Sequence, residues 1–158
     1  MTTETHDANL DLVITRVVAL PRETIWKAWT QPNHLMKWFT PAPWQTVACE
    51  IDLRPGGRFH TVMRGPEGQE FPLDGCYLEI LENRRLVWTD ALRPGYRPAA
   101  EPFFTAELTL DDHPDGTLYT ARAMHKNEAD RERHEEMGFE FGWNAALDQL
   151  IDIAHTIA

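Results

Sequence analysis

Few side chains in this sequence could do chemistry, and one missing residue type narrows the field first. The chain contains no serine, so a Ser-His-Asp hydrolase and its GxSxG elbow are excluded. His125 and His134, with Glu128 and Glu135 nearby, suggest a metal centre. Their nine-residue separation across a strand-to-helix junction matches no recognised ligand spacing, and there is no HExxH, so no metal is expected. Cys49 and Cys76 form no CxxC pair and sit in apolar stretches. No helix N-terminus or basic neighbour is evident to lower the pKa of Cys76, so both read as packed free thiols. RPGGR lacks the lysine and the βαβ setting of a phosphate loop, and Gly56 and Gly57 read instead as a tight turn.

Acid or base work in an apolar cavity needs an inward carboxylate or histidine, whose pKa desolvation moves toward neutrality. Glu136 stands three and seven residues before Phe139 and Trp143, and a continuous helix would put all three on one face. His60 and Arg64 share one face of a strand, and Glu107 and Arg122 sit in the middle of theirs. All five also read as solvent-facing; a pair turned inward would orient a ligand carbonyl or carboxylate. The aromatic residues Trp38, Trp44, Phe59, Phe71, Tyr77, Trp88, Phe104, Phe139 and Trp143 exceed what covering one helix requires. They form either the wall of a small-molecule site or a solid aromatic core.

Positioning these side chains falls to a recognisable series of elements. LDLVITRVVAL (10–20) reads as a strand, and PRETIWKAWT and PNHLMKWF as two short helices entered at Pro21 and Pro32. From Trp44 to Leu53 the pattern alternates, with Val47, Cys49, Ile51 and Leu53 on the buried face and Thr46, Ala48, Glu50 and Asp52 on the wet one. Strands follow over 58–64, 71–81, 85–92, 103–110 and 117–124. GPEG, ENR and DDHPDG supply the turns of antiparallel hairpins, and the proline-rich RPGYRPAAEP reads as a loop. From about Asn127 the helical period returns and lasts nearly to the end, predicting one long amphipathic helix through Trp143, Leu147, Leu150, Ala154 and Ile157.

That order predicts an α+β domain over 10–158 in which a curved antiparallel sheet of six to seven strands wraps the C-terminal helix. Residues 1–9 are too polar to pack and are expected to fray. A formal net charge of −10 with no basic stripe argues against nucleic acid. No apolar run reaches the roughly 18 residues of a membrane span and the N-terminus has no signal-peptide core, so a cytoplasmic location is expected.

Within the terminal helix, MGFEFGWNAALDQL carries two glycines four apart, each costing a helix roughly 1 kcal/mol relative to alanine. In an unbroken helix Gly138 and Gly142 lie on the flank of the Trp143 stripe, where they either let a strand approach or leave space for a ligand. Met137 and Phe141 then project away from the sheet. Apolar residues there imply a cover, such as a second copy in a homodimer or the proline-rich loop, or a change of helical phase at the glycines.

ALPRETIWKAWTQPNHLMKWF (19–39), DLRPGGRF (52–59), GCYLEILENRRLVWT (75–89), DGTLYT (115–120) and GWNAALDQL (142–150) resemble, in order, the START-like helix-grip (SRPBCC) superfamily. Within it they are most similar to bacterial proteins like the C-terminal domain of the activator of Hsp90 ATPase. The resemblance implies the helix-grip fold and a cavity between helix and sheet for small, mostly apolar molecules. It does not imply a single activity, because the superfamily includes lipid and hormone binders, polyketide cyclases and co-chaperone domains. Three functions follow as expectations. The first is binding of a small hydrophobic or aromatic ligand without a held cofactor. The second is a polyketide cyclase or dehydratase-like enzyme. The third is an Hsp90-type chaperone-interacting module, which the lack of an attached partner domain disfavours.

Overall fold

A computed structural model describes residues 7–157. Of the tail expected to fray, residues 1–6 lie outside the described residues. Asp7 to Asn9 form a turn, in which the Asp7 carboxylate accepts from the Asn9 N–H (2.9 Å).

β-Branched residues set β1 (Asp11–Val18), and Pro21 ends it by opening α1 (Arg22–Thr30), which buries Ile25, Trp26, Ala28 and Trp29. A short α2 (Pro32–Leu35) follows. Then come β2 (Gln45–Ile51), β3 (Arg58–Arg64), β4 (Glu70–Leu81), β5 (Arg85–Thr89), β6 (Leu92–Arg93), β7 (Arg97–Pro98), β8 (Thr105–His113) and β9 (Gly116–Met124). Seven of these make one antiparallel sheet in the order β1-β9-β8-β5-β4-β3-β2. β6 and β7 pair separately, so the proline-rich segment expected to be a plain loop carries a small two-stranded ribbon.

Alternation along β2 is broken. Between Thr46 and Ala48 the register with β3 shifts, a bulge that turns Thr46 onto the buried side, where its hydroxyl meets that of Thr40 at 2.6 Å. The wet position expected for Thr46 is therefore corrected. The buried position expected for Leu53 is corrected too, since the strand has ended and Leu53 is exposed.

The single long helix expected from Asn127 is two. Asn127 caps α3 (Glu128–Glu136) by accepting the Asp130 N–H at 2.8 Å. At Gly138 the chain takes φ +91°, a left-handed conformation that ends one helix and starts α4 (Phe139–Ile153) at a new angle. This conformation accounts for the first glycine. α4 then lies across the concave face of the sheet, burying Ala146, Leu147 and Leu150, and a final turn runs over Ala154–Thr156.

Candidate functional site: an aromatic cavity under α4

The core is solid at the α1 end of α4 and hollow at the other. Between the start of α4, the concave face of β3, β4 and β5, and the segment after α2 lies a cavity of about 390 Å³. Its inner wall is built from Trp88, Phe104, Tyr119 and Thr61 on the sheet side, with Phe139 and Trp143 on the helix side. The rings hold one another at rigid distances: Trp88 to Phe104 5.3 Å, Phe104 to Trp143 6.4 Å, and Phe139 to Trp143 5.2 Å. Opposite them, Trp38, Phe39, Thr40 and Pro41 form a strap. The strap is tied to α4 by Gln149, whose amide donates to the Trp38 and Thr40 carbonyls (both 2.9 Å) and whose oxygen accepts the Ala42 N–H (2.8 Å).

Buried indoles need partners, and two of them have one. Trp29 Nε1–H donates to the Tyr119 hydroxyl (3.1 Å), and Trp38 Nε1–H to the Ala28 carbonyl (3.0 Å). Burial raises the Tyr119 phenol well above its ordinary pKa and the Cys49 thiol to about 11, so neither ionises near neutrality. Met63, Phe71 and Met137 are exposed and border the cavity, so they mark its mouth.

Gly142 stands in this wall. A Cβ there would meet only Pro41 Cγ at 4.0 Å, so no neighbour demands a glycine and the missing methyl adds to the cavity. Of the aromatic residues singled out from the sequence, Trp38, Phe71, Trp88, Phe104, Phe139 and Trp143 line the space. Trp44 packs on Phe71 outside the wall (5.7 Å), and Phe59 and Tyr77 stack on each other in the core beneath it (5.4 Å).

None of the five polar candidates lines the cavity. His60 lies on the convex face, 3.5 Å from Asp74, and Arg64 pairs with Glu70. Glu107 and Arg122 face each other across β8 and β9 on the convex side (3.3 Å), where Arg85, Glu79 and Asp11 continue the row of charges. Strand alternation puts them there, because their neighbours Leu108, Ala106, Ala121 and Ala123 take the buried side. Glu136 is exposed because the break at Gly138 resets the helical phase, so it no longer shares a face with Phe139 and Trp143.

That break brings in His134 instead, a residue the sequence suggested only as part of a metal site. His134 Nδ1 and His125 Nε2 are hydrogen-bonded to each other at 2.8 Å, and His125 Nδ1 bonds the Leu10 carbonyl at 2.7 Å. Burial, then the nearby His125 and Arg133, lowers the His134 pKa to about 4, so the ring is neutral. Glu128 and Glu135 point into solvent. Among the described residues no group of three or more His, Cys, Asp or Glu side chains could hold a metal ion. Phe103 and Phe104, which pack on His134, are fixed through their N–H groups by the Asp90 carboxylate (2.8 and 3.1 Å).

Comparisons with known proteins agree with this architecture. The family described as Activator of Hsp90 ATPase homolog 1-like protein matches residues 19–154. The structure of a protein from Nitrosomonas europaea is similar at 46% identity, covering 96% of this chain and 97% of that one, with a TM-score of 0.93. A protein from Mycobacterium smegmatis shares 26% identity over 96% and 95% of the two chains, with a TM-score of 0.78. An Activator of Hsp90 ATPase-like protein from Aeromonas hydrophila shares the fold alone, at 18% identity over 93% of each chain and a TM-score of 0.69. No curated protein matches. No helix among the described residues is long and apolar enough to cross a membrane.

Proposed function

The chain belongs to the Activator of Hsp90 ATPase homolog 1-like family, and we propose that it binds a small, mostly apolar aromatic molecule in the cavity beneath Trp143. The observation that carries this reading is a space of about 390 Å³ walled by aromatic rings, with no charged side chain among its lining residues. A solid aromatic core would have closed that volume. The missing methyl at Gly142 enlarges it further at no packing benefit to the protein.

The test is to fill the cavity from its wall. In calorimetric titrations with naphthalene, 2-naphthol and 2-methoxynaphthalene, at least one compound is expected to bind and to raise the melting temperature. Gly142→Leu should abolish the binding while the variant remains folded. Binding that survives Gly142→Leu unchanged would place the ligand elsewhere.

A second reading rests on Phe141, which is 79% exposed beside the β1 residues Leu12 and Val13. We propose self-association through that side chain. Sedimentation of the wild type and Phe141→Glu checks it: a dimer lost in the variant supports the reading, and a monomeric wild type ends it.

A further inference from the structure

Outside the aromatic rings, the cavity wall offers one nitrogen. The His125–His134 pair is not titratable ballast, because its hydrogen bonds determine what that nitrogen can do. A backbone carbonyl can only accept, so the Leu10 oxygen requires the proton of His125 to sit on Nδ1. In that Nδ1–H tautomer, His125 Nε2 carries the lone pair and accepts. His134 therefore donates from Nδ1. The proton of His134 is thus committed away from the cavity, and its Nε2 is left with a lone pair and, among the described residues, no hydrogen-bond partner. Three rings hold the imidazole in this pose: Phe104 at 4.8 Å, Phe103 at 5.0 Å and Phe139 at 5.1 Å.

We propose that His134 Nε2 is the recognition atom of the cavity, accepting a hydrogen bond from a neutral hydroxyl on an aromatic ligand, a phenol or an enol. This rests on the cavity being a ligand site, and it narrows the ligand by two exclusions. A carboxylate or phenolate would bring its own lone pairs against that of Nε2, with no cation among the lining residues to compensate. The guanidinium of Arg133 lies 4.5 Å over the Phe103 ring, and Arg133 is not among the lining residues. A ligand without any donor would leave Nε2 desolvated and unpaired, which disfavours it against a hydroxylated analogue. His134 is accordingly a specificity residue whose direction is set by His125 and by the Leu10 carbonyl.

The experiment uses three ligands of nearly equal shape: 2-naphthol, 2-methoxynaphthalene and 2-naphthoate. The wild type should bind 2-naphthol about threefold to tenfold more tightly than the methoxy compound, the range of one neutral hydrogen bond, and 2-naphthoate most weakly. His134→Phe should bind the first two alike. Nitrogen-15 NMR of the histidine side chains at pH 8 gives a second measurement on the unaltered protein. It should show His134 as the Nδ1–H form, with the Nε2 resonance moving when 2-naphthol is added and not when the methoxy compound is.

The failures separate. If none of the compounds binds the wild type, the cavity reading falls and takes this one with it. If the two neutral compounds bind equally, or if His134 carries its proton on Nε2, the cavity reading stands and the assignment of His134 is overturned.

Discussion

One helix and one sheet make two unlike ends of the same core. At the α1 end, Leu147 and Leu150 of α4 share one buried cluster with Ile14, Val18, Ile25 and Leu110, all at most 5% exposed and none of them lining the aromatic cavity. At the α3 end the same helix presents Phe139, Gly142 and Trp143 to Trp88 and Phe104, and a space remains. Branched aliphatic chains interdigitate and adjust until voids close. Rings in edge-on contact are rigid plates, and once a few brace one another at 5 to 6 Å they prop the walls apart. Both ends look equally hydrophobic, yet one is filled and the other keeps a volume.

The largest expected effect is at the solid end. Leu150→Ala should cost about 2 to 5 kcal/mol, the range for a fully buried leucine, or roughly 4 to 20 °C in melting temperature for a chain of this size. Thermal unfolding of the variant measures it. Trp143→Ala removes a much larger side chain, yet its cost should be smaller than that of Leu150→Ala, because one side of the indole already faces a void. The reverse order would show that the hollow end carries as much of the stability as the solid one.

A pH titration sharpens the same contrast. His134 is neutral in the fold with a pKa near 4, against about 6.5 when unfolded. Its contribution to stability is fully present above the unfolded value and is lost as pH falls from there toward about 4. Melting temperature should therefore fall more steeply across that window in the wild type than in His134→Phe, with the carboxylates common to both. Parallel curves would remove the buried imidazole from the account.

The smallest effect is at Gly142. With ordinary helical space around it, Gly142→Ala should stabilise α4 by up to about 1 kcal/mol while narrowing the cavity. Since a Cβ there would stand 4.0 Å from Pro41 Cγ, an ordinary contact, a destabilised variant would show that the methyl costs more inside the cavity than the helix gains.

Most of the architecture was legible in the sequence because it follows from periodicity. The strands over 58–64 and 117–124, the turns between them, the two proline-opened helices and the stripe through Leu147 and Leu150 all came from alternation and from turn chemistry. What escaped were single-residue changes of phase. The bulge near Val47 reverses the faces around Thr46, and the left-handed Gly138 separates Glu136 from the Trp143 stripe and leaves His134 on the inner side of α3. Neither alters composition or period enough to be read locally. Six of the aromatic residues singled out do border the cavity, but Trp29, Phe39 and Tyr119 border it as well. Which rings of a greasy chain turn inward is decided by contacts between distant segments, such as the Trp29–Tyr119 hydrogen bond across 90 residues. For His134 the signal is its pairing with His125: the spacing suits no metal, and what joins the two rings is the 2.8 Å hydrogen bond between them.

The Gln149 carboxamide acts as a rivet. Its three hydrogen bonds span Trp38 to Ala42 and hold that segment against α4. One wall of the cavity is thus held in place by a side chain that does not line the space. Shortening Gln149 would release all three bonds together and free that wall to move, without altering any residue that faces the cavity.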